Sequence, residues 1–127
     1  MSSSEAITQG VRVLVESRFA PEHSAGDRWF FLYTVTISNE GAESVQLVSR
    51  HWVIQDATGH VEEVAGEGVV GEQPVLAPGE SFEYTSGCPL PTPFGSMEGT
   101  YQMVTESGGQ FDAEIAEFGL REPSAIH

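Results

Sequence analysis

Residues 29–37 read WFFLYTVTI, and this stretch decides the fold class. Its side chains are mostly aromatic or β-branched, which are the types that strands favour. Because side chains alternate along a strand, Phe31, Tyr33, Val35 and Ile37 fall on one face. The stretch therefore predicts a β-strand with one buried face.

Similar strands are predicted on both sides of this stretch. Valines alternate over residues 11–15, and residues 44–55 place Val48, Trp52 and Ile54 on one face. Turn signals such as Pro78-Gly79 separate the runs, and no segment keeps a helical period beyond a turn or two. The remaining strands are expected within 61–65, 81–85, 97–105 and 110–118. About seven short strands predict an all-β, immunoglobulin or fibronectin type III-like antiparallel β-sandwich with Trp52 in its core.

The length of 127 residues suits one domain with its own core. We expect the sandwich to span residues 7–120, with flexible ends at 1–6 and 121–127. The single cysteine excludes an internal disulfide and fits a reducing cytoplasm. No secretory signal or membrane-length apolar run is visible, so a cytoplasmic protein is expected.

The charge of the chain is strongly negative. There are 19 acidic residues against five basic ones, all of them arginine, and the formal net charge is −14. Nucleic acids and anionic lipids are bound by clustered Lys and Arg, so neither is an expected partner. This surface favours cations or a basic protein partner.

A long central run resembles the ApaG family. The run is SRHWVIQDATGHVEEVAGEGVVGEQPVLAPGESFEYTSGCPLPTPFGSMEGTYQMV, and YTVTISNEG before it and GGQFDAEIAEF after it extend the resemblance to roughly residues 7–120. The resemblance implies a fibronectin type III or immunoglobulin-like sandwich, which agrees with the strand count. It also implies an association with cobalt resistance and magnesium efflux, and a protein-interaction role where the domain recurs in eukaryotic proteins. It supplies no catalytic residues.

Gly66, Gly68 and Gly71 in GEGVVG match the G-x-G-x-x-G spacing that closes a backbone on a pyrophosphate. The motif needs a helix after it, but the two prolines of EQPVLAP oppose one, and the chain has no lysine. Glu67 and Glu72 also place negative charge where a phosphate would lie. We therefore interpret these glycines as a structural loop, with nucleotide or pyrophosphate binding as a less favoured alternative.

Direct cation binding is the main alternative function. Several acidic residues lie near this loop, and Mg²⁺ needs only one or two carboxylates. The histidines lack a familiar ligand spacing, and Glu62 and Glu63 point to opposite faces of a strand. We predict no metal site and no cofactor, and we name His60 and Glu67 as the residues to test for cation binding.

Catalysis has little support in the sequence. Cys88 lies before Pro89 with no basic cluster to stabilise a thiolate, so we predict a buried packing residue and no enzyme. The Arg50-His51-Trp52 run suggests one of two arrangements. It forms an anion-binding site, or Trp52 lies in the core while Arg50 and His51 lie at a sheet edge or under a loop.

The segment CPLPTPFGSM, residues 88–97, carries three alternating prolines that keep it extended. Leu90, Phe94 and Met97 supply apolar side chains that either dock a partner or cap the core, and Glu67 would add charge to the same docking surface. The sequence thus predicts a non-enzymatic protein-protein interaction module linked to magnesium and cobalt homeostasis. Its partner is an unidentified, basic protein, and the chain itself is a monomer or a weak homo-oligomer.

Overall fold

The structure is a computed structural model that describes residues 2–124. A short 3-10 helix covers Pro21–His23, and this part of the chain contains no α-helix. None of its helices is long and apolar enough to cross a membrane. The strands are β1 (Ser2–Thr8), β2 (Val11–Phe19), β3 (Trp29–Asn39), β4 (Val45–Asp56), β5 (Val61–Glu67), β6 (Val75–Leu76), β7 (Ser81–Leu90), β8 (Phe94–Thr105) and β9 (Gln110–Arg121).

The strands form two antiparallel sheets that pack as a sandwich. One sheet has the order β1-β2-β3-β7 and the other has the order β5-β4-β8-β9, with β6 pairing the start of β4. The predicted all-β sandwich of the immunoglobulin and fibronectin type III kind is confirmed. Residues 2–124 form nine strands where seven were expected, because the sequence pattern reveals neither β1 nor the two-residue β6.

The core lies between the sheets and is aromatic at its centre. The predicted inward face of β3 is confirmed, since Phe31, Tyr33, Val35 and Ile37 are all buried. Trp52 is 3% exposed, and its ring meets the rings of Tyr33, Tyr101 and Phe118 edge-on at centroid distances of 5.4, 6.3 and 6.0 Å. Such edge-to-face pairs add to the stabilisation from burial.

A bulge changes the predicted inward face of β4. Leu47 pairs with Met103 and Ser49 pairs with Gln102, which leaves Val48 as an extra residue. The prediction that Val48 shares the inward face was wrong: Leu47 is fully buried and Val48 is only partly buried. Because one inserted residue reverses the alternation, inward positions fall at odd numbers before the bulge and at even numbers after it.

The N-terminus also differs from the expected flexible segment 1–6. Ser2–Thr8 forms strand β1, which pairs with β2 along its whole length. The connecting turn at Gln9-Gly10 has positive φ at both residues, the geometry of a two-residue hairpin. At the other end, β9 runs to Arg121, and the last three residues of the expected 121–127 tail lie outside the described residues.

Two buried tyrosines provide a test of hydrogen bonding in the core. The hydroxyls of Tyr84 and Tyr101 share a hydrogen bond, and burial raises the pKa of both. Tyr84→Phe should lower the free energy of unfolding by about 1–3 kcal/mol, because the Tyr101 hydroxyl then stays buried without a partner. The double variant with Tyr101→Phe should recover much of that loss, since it removes both polar groups. Urea unfolding of the single and double variants measures these free energies. A loss in the double variant equal to the sum of the two single losses would contradict the prediction.

The two long sides of the sandwich differ. On one side, β1 and β2 lie against β9: Ser4 Oγ donates to the Ala116 carbonyl and Ser17 Oγ to the Gly119 carbonyl, both at 2.7 Å. On the other side, β5 and β7 are the outermost strands of their sheets, and no backbone pairing joins them within the part described. This open side contains the candidate site.

Candidate functional site

The glycine motif forms a backbone turn at the end of β5. Gly68 has φ +61°, and a Cβ there would lie 2.3 Å from the Glu72 carbonyl oxygen. The amides of Val69 and Glu72 donate to each other's carbonyls at 2.8 and 2.9 Å, and Gly68 N donates to the Val48 carbonyl at 2.9 Å. These amides are therefore engaged within the protein, which supports the structural interpretation of the loop.

Arg50 lies under this loop and is held by it. Its Nη1 donates to the carbonyls of Glu67 and Gly68 at 3.0 and 2.9 Å. A Cβ on residue 66 would lie 2.9 Å from the same nitrogen, so Gly66 is the residue that leaves room for the guanidinium. The loop thus presents carbonyl oxygens to a cation, the opposite of a phosphate cradle.

Gly71 and Val70 form the exposed tip of the turn. Their φ angles are +82° and +45°, and, apart from its chain neighbours, no described residue lies within 4 Å of a Cβ placed on Gly71. The three glycines therefore have different structural roles. Gly66 leaves room for the Arg50 side chain, Gly68 permits close backbone approach, and Gly71 adopts a positive φ. The G-x-G-x-x-G spacing reflects three separate local needs.

The proline-rich segment connects the two sheets. β7 ends at Leu90 and β8 starts at Phe94, so residues 91–93 form the crossover. Leu90 is 3% exposed and Met97 is 1% exposed, and both belong to the core. This burial favours the core-packing alternative over docking for these two side chains; Phe94 is partly buried.

The open side of the sandwich contains a cleft that we call the edge cleft. It lies between β5 and β7, has a volume of about 290 Å³, and reaches down to the aromatic core. A second hollow of about 200 Å³, next to His60 and Leu90, shares Glu62 and Pro89 with it. The side chains that define the edge cleft are Arg50, Trp52, Glu62, Val64, Ser86 and Cys88.

The candidate cation ligands are not brought together. His60 precedes β5 and Glu67 ends it, so a seven-residue strand that spans about 20 Å separates them. Glu62 faces the edge cleft, whereas Glu63 on the opposite face lies 2.7 Å from His51 Nε2. Within residues 2–124, no group of three or more His, Cys, Asp or Glu side chains could hold a metal ion.

Cys88 lies at the base of the edge cleft and is buried. Burial raises the pKa of its thiol from 9.0 to about 12, and the nearby Glu62 carboxylate adds to the increase. Because the thiolate is the nucleophilic form, this environment keeps Cys88 unreactive at neutral pH. The prediction of a buried packing residue is confirmed.

Sequence reasoning missed most of the edge cleft. The sequence predicts Arg50 at a sheet edge or under a loop, and its position under a loop is confirmed. Ser86, Val64 and the Tyr33 ring were not singled out, because each reads as an ordinary strand residue. The available signal was Arg50 itself, a basic residue two positions before Trp52 and so on the predicted inward face of its strand, in a chain with few cations.

Comparisons with known proteins agree with the fold. A sequence model of the ApaG domain matches residues 20–105. A protein named ApaG from a Bradyrhizobium species is 60% identical over 120 residues, covering 93% of this chain and 92% of the relative. Protein ApaG of Anaeromyxobacter dehalogenans is 56% identical over 124 residues, covering 98% and 99% of the two chains.

Solved structures give the same result. A Bordetella pertussis protein called ApaA superposes with a TM-score of 0.87 at 53% identity, covering 91% of this chain and 95% of that one. The C-terminal domain of wzt shares only the fold, with a TM-score of 0.55 at 10% identity and coverage of 98% and 80%. With the domain match and the near-full-length relatives, these findings show that the chain belongs to the ApaG family.

Proposed function

We propose that this protein is a non-enzymatic protein-interaction module whose free β5 edge pairs with an extended, basic segment of a partner. The observation that carries the proposal is the exposure of β5: six of its seven residues are exposed, and β4 is the strand that it pairs with. A strand with one free edge is a template for an added strand. Its main-chain groups would supply affinity and its side chains selectivity.

The direction of the β5 amides follows from the ladder. Asp56 N donates to the His60 carbonyl at 3.0 Å, and Gly68 N donates to the Val48 carbonyl at 2.9 Å. The register between these ends pairs Ile54 with Glu62 and Arg50 with Gly66. Because hydrogen-bonded pairs alternate along an antiparallel ladder, the amides of the intervening residues Val61, Glu63 and Ala65 point to the free edge.

The charge of β5 favours a basic partner. Glu62, Glu63 and Glu67 lie on this short strand, and the whole chain has a net charge of −14. Complementary charge speeds association and excludes acidic competitors. Val61 and Val64 are 49% and 38% exposed and lie on opposite faces of β5, so a segment that carries both basic and apolar side chains fits the edge.

The proposed link to divalent cations is indirect. The family resemblance implies an association with magnesium and cobalt homeostasis, and a partner in cation transport would account for it. Direct cation binding is less favoured because His60 and Glu67 stand at opposite ends of β5. Nucleotide binding is less favoured because the glycine loop directs two carbonyls at Arg50.

A test uses a short, end-capped peptide of alternating lysine and valine. In nitrogen–proton correlation NMR spectra, the amides of residues 61–67 should shift saturably. Ala65→Pro should weaken binding about tenfold or more, because it removes an edge donor. Ala65→Thr keeps that donor and is the matched control.

Three outcomes would contradict strand addition at β5. The first is equal binding of a peptide of alternating glutamate and valine. The second is a set of shifts confined to β7, which would move the docking edge. The third is equal loss in Ala65→Pro and Ala65→Thr, which would show that the side chain matters and the amide does not.

A further inference from the structure

We propose that the edge cleft binds a small monocarboxylate with an apolar or aromatic body, and that Arg50 receives its carboxylate. The site is distinct from the β5 amides used in strand addition and does not depend on that function. Three features support it: an uncompensated charge, a guanidinium held in place with free donors, and walls of matching chemistry.

Arg50 carries a half-buried positive charge that no carboxylate neutralises. Arg12 pairs with Glu5 and Glu40 and Arg18 pairs with Glu22, whereas Arg28, Arg50 and Arg121 form no ion pair among residues 2–124. Of these three, Arg28 and Arg121 are exposed, and Arg50 is partly buried. Its protein partners are two neutral carbonyls. Removing a charge from water without a counter-charge costs free energy. The chain has 19 acidic residues, yet none of their carboxylates within residues 2–124 pairs with Arg50. A ligand carboxylate would provide the missing charge.

The protein fixes the guanidinium but leaves part of it available. Both carbonyl bonds use Nη1, and no protein acceptor bonds Nε or Nη2 within the described chain. Nε and Nη2 form one edge of the planar guanidinium, and two parallel N–H groups match the two oxygens of a carboxylate. The guanidinium also packs closely against Gly66, which limits the conformational freedom of the Arg50 side chain before a ligand binds.

The walls of the edge cleft favour one negative charge on an apolar body. Trp52 and Val64 supply apolar surface, and Ser86 supplies a hydroxyl. Glu62 lines the same cleft, four residues along β5 from Gly66, and it disfavours a second negative charge. A volume of about 290 Å³ lies at the small end of ligand pockets. Phosphates and dicarboxylates therefore fit less well than a small monocarboxylate.

The test uses 4-hydroxyphenylacetate, with its neutral amide as an isosteric probe. The Arg50 Nε–H resonance and the amides of Ser86 and Cys88 should shift saturably with the acid, at a dissociation constant on the order of 1 mM. The amide should bind about tenfold more weakly or worse. Arg50→Lys, which keeps the charge and loses the fork, should bind the acid about tenfold more weakly.

A second pair of variants keeps Arg50 intact. Val64→Trp fills the edge cleft and should abolish the shifts, whereas Val61→Trp, on the opposite face of β5, should leave them as in the wild type. Four results would each overturn the proposal: equal binding of acid and amide, equal loss in the two tryptophan variants, stronger binding of inorganic phosphate, or no saturable shift up to about 20 mM acid. Ala65→Pro should leave acid binding unchanged, which separates this site from strand addition.

Discussion

Trp52→Ala is expected to lower the free energy of unfolding by about 3–5 kcal/mol, the range for removing a large aromatic side chain from a core. Trp52 is almost fully buried, and its ring contacts aromatic rings from both sheets: Tyr33 on β3, Tyr101 on β8 and Phe118 on β9. Its removal leaves a cavity between sheets that cannot close without moving strands. Since a domain has about 5–15 kcal/mol of stability, the variant should be close to unfolding.

Val53→Ala is the matched control for this prediction. Val53 is the next residue of β4, faces the other side of the sheet and is only partly buried, so its truncation should cost about 1 kcal/mol or less. Urea unfolding followed by circular dichroism measures both variants. Similar losses in the two would mean that Trp52 does not anchor the packing of the two sheets.

The sequence predicts the core of this fold well because its pattern is local. A strand with one buried face must alternate in burial, and the burial of β3 alternates without interruption from Phe30 to Asn39. Trp52 is large and apolar in a run of the same kind, so its burial follows from composition and position. These features need no knowledge of which strands pair.

The features that the sequence does not reveal depend on pairing. Strand β1 reads SSSEAIT, which is polar and has low strand propensity, and it forms because its backbone pairs with β2. The bulge at Val48 appears only when β4 is placed beside β8. Tertiary context decides both.

The edge cleft could not be predicted for the same reason. Arg50 and Glu62 come from one hairpin, but Ser86 and Cys88 come from the other sheet, more than 20 residues later. Their proximity follows from β5 and β7 being edge strands on the same side of the sandwich. The glycine motif is visible in the sequence, and its structural role can be predicted because no helix follows it. The contact between Gly66 and the Arg50 guanidinium cannot be predicted from the sequence.

Gly68→Ala is expected to lower the free energy of unfolding by about 3–4 kcal/mol, while Gly71→Ala should cost only about 1–2 kcal/mol. Both glycines have positive φ, which costs a residue with a Cβ about 1–2 kcal/mol. At Gly68 the new Cβ would also lie 2.3 Å from the Glu72 carbonyl oxygen, so the turn must open. Opening it breaks the paired hydrogen bonds of Val69 and Glu72, each worth about 1 kcal/mol.

The comparison of the two glycines tests what the motif is for. If the spacing served a ligand, substitution at either glycine would reduce binding with little difference in stability. If the spacing serves the backbone conformation, the urea midpoint of Gly68→Ala should be lower than that of Gly71→Ala. The NMR spectrum of Gly68→Ala should also change at Arg50, whose Nη1 donates to the Gly68 carbonyl at 2.9 Å. Equal stabilities would contradict the structural role of Gly68. A loss at Gly68 that also weakens binding of 4-hydroxyphenylacetate would tie the turn to the position of Arg50, because the carbonyl of Gly68, next to the paired bonds of Val69 and Glu72, accepts from Arg50 Nη1 at the edge cleft.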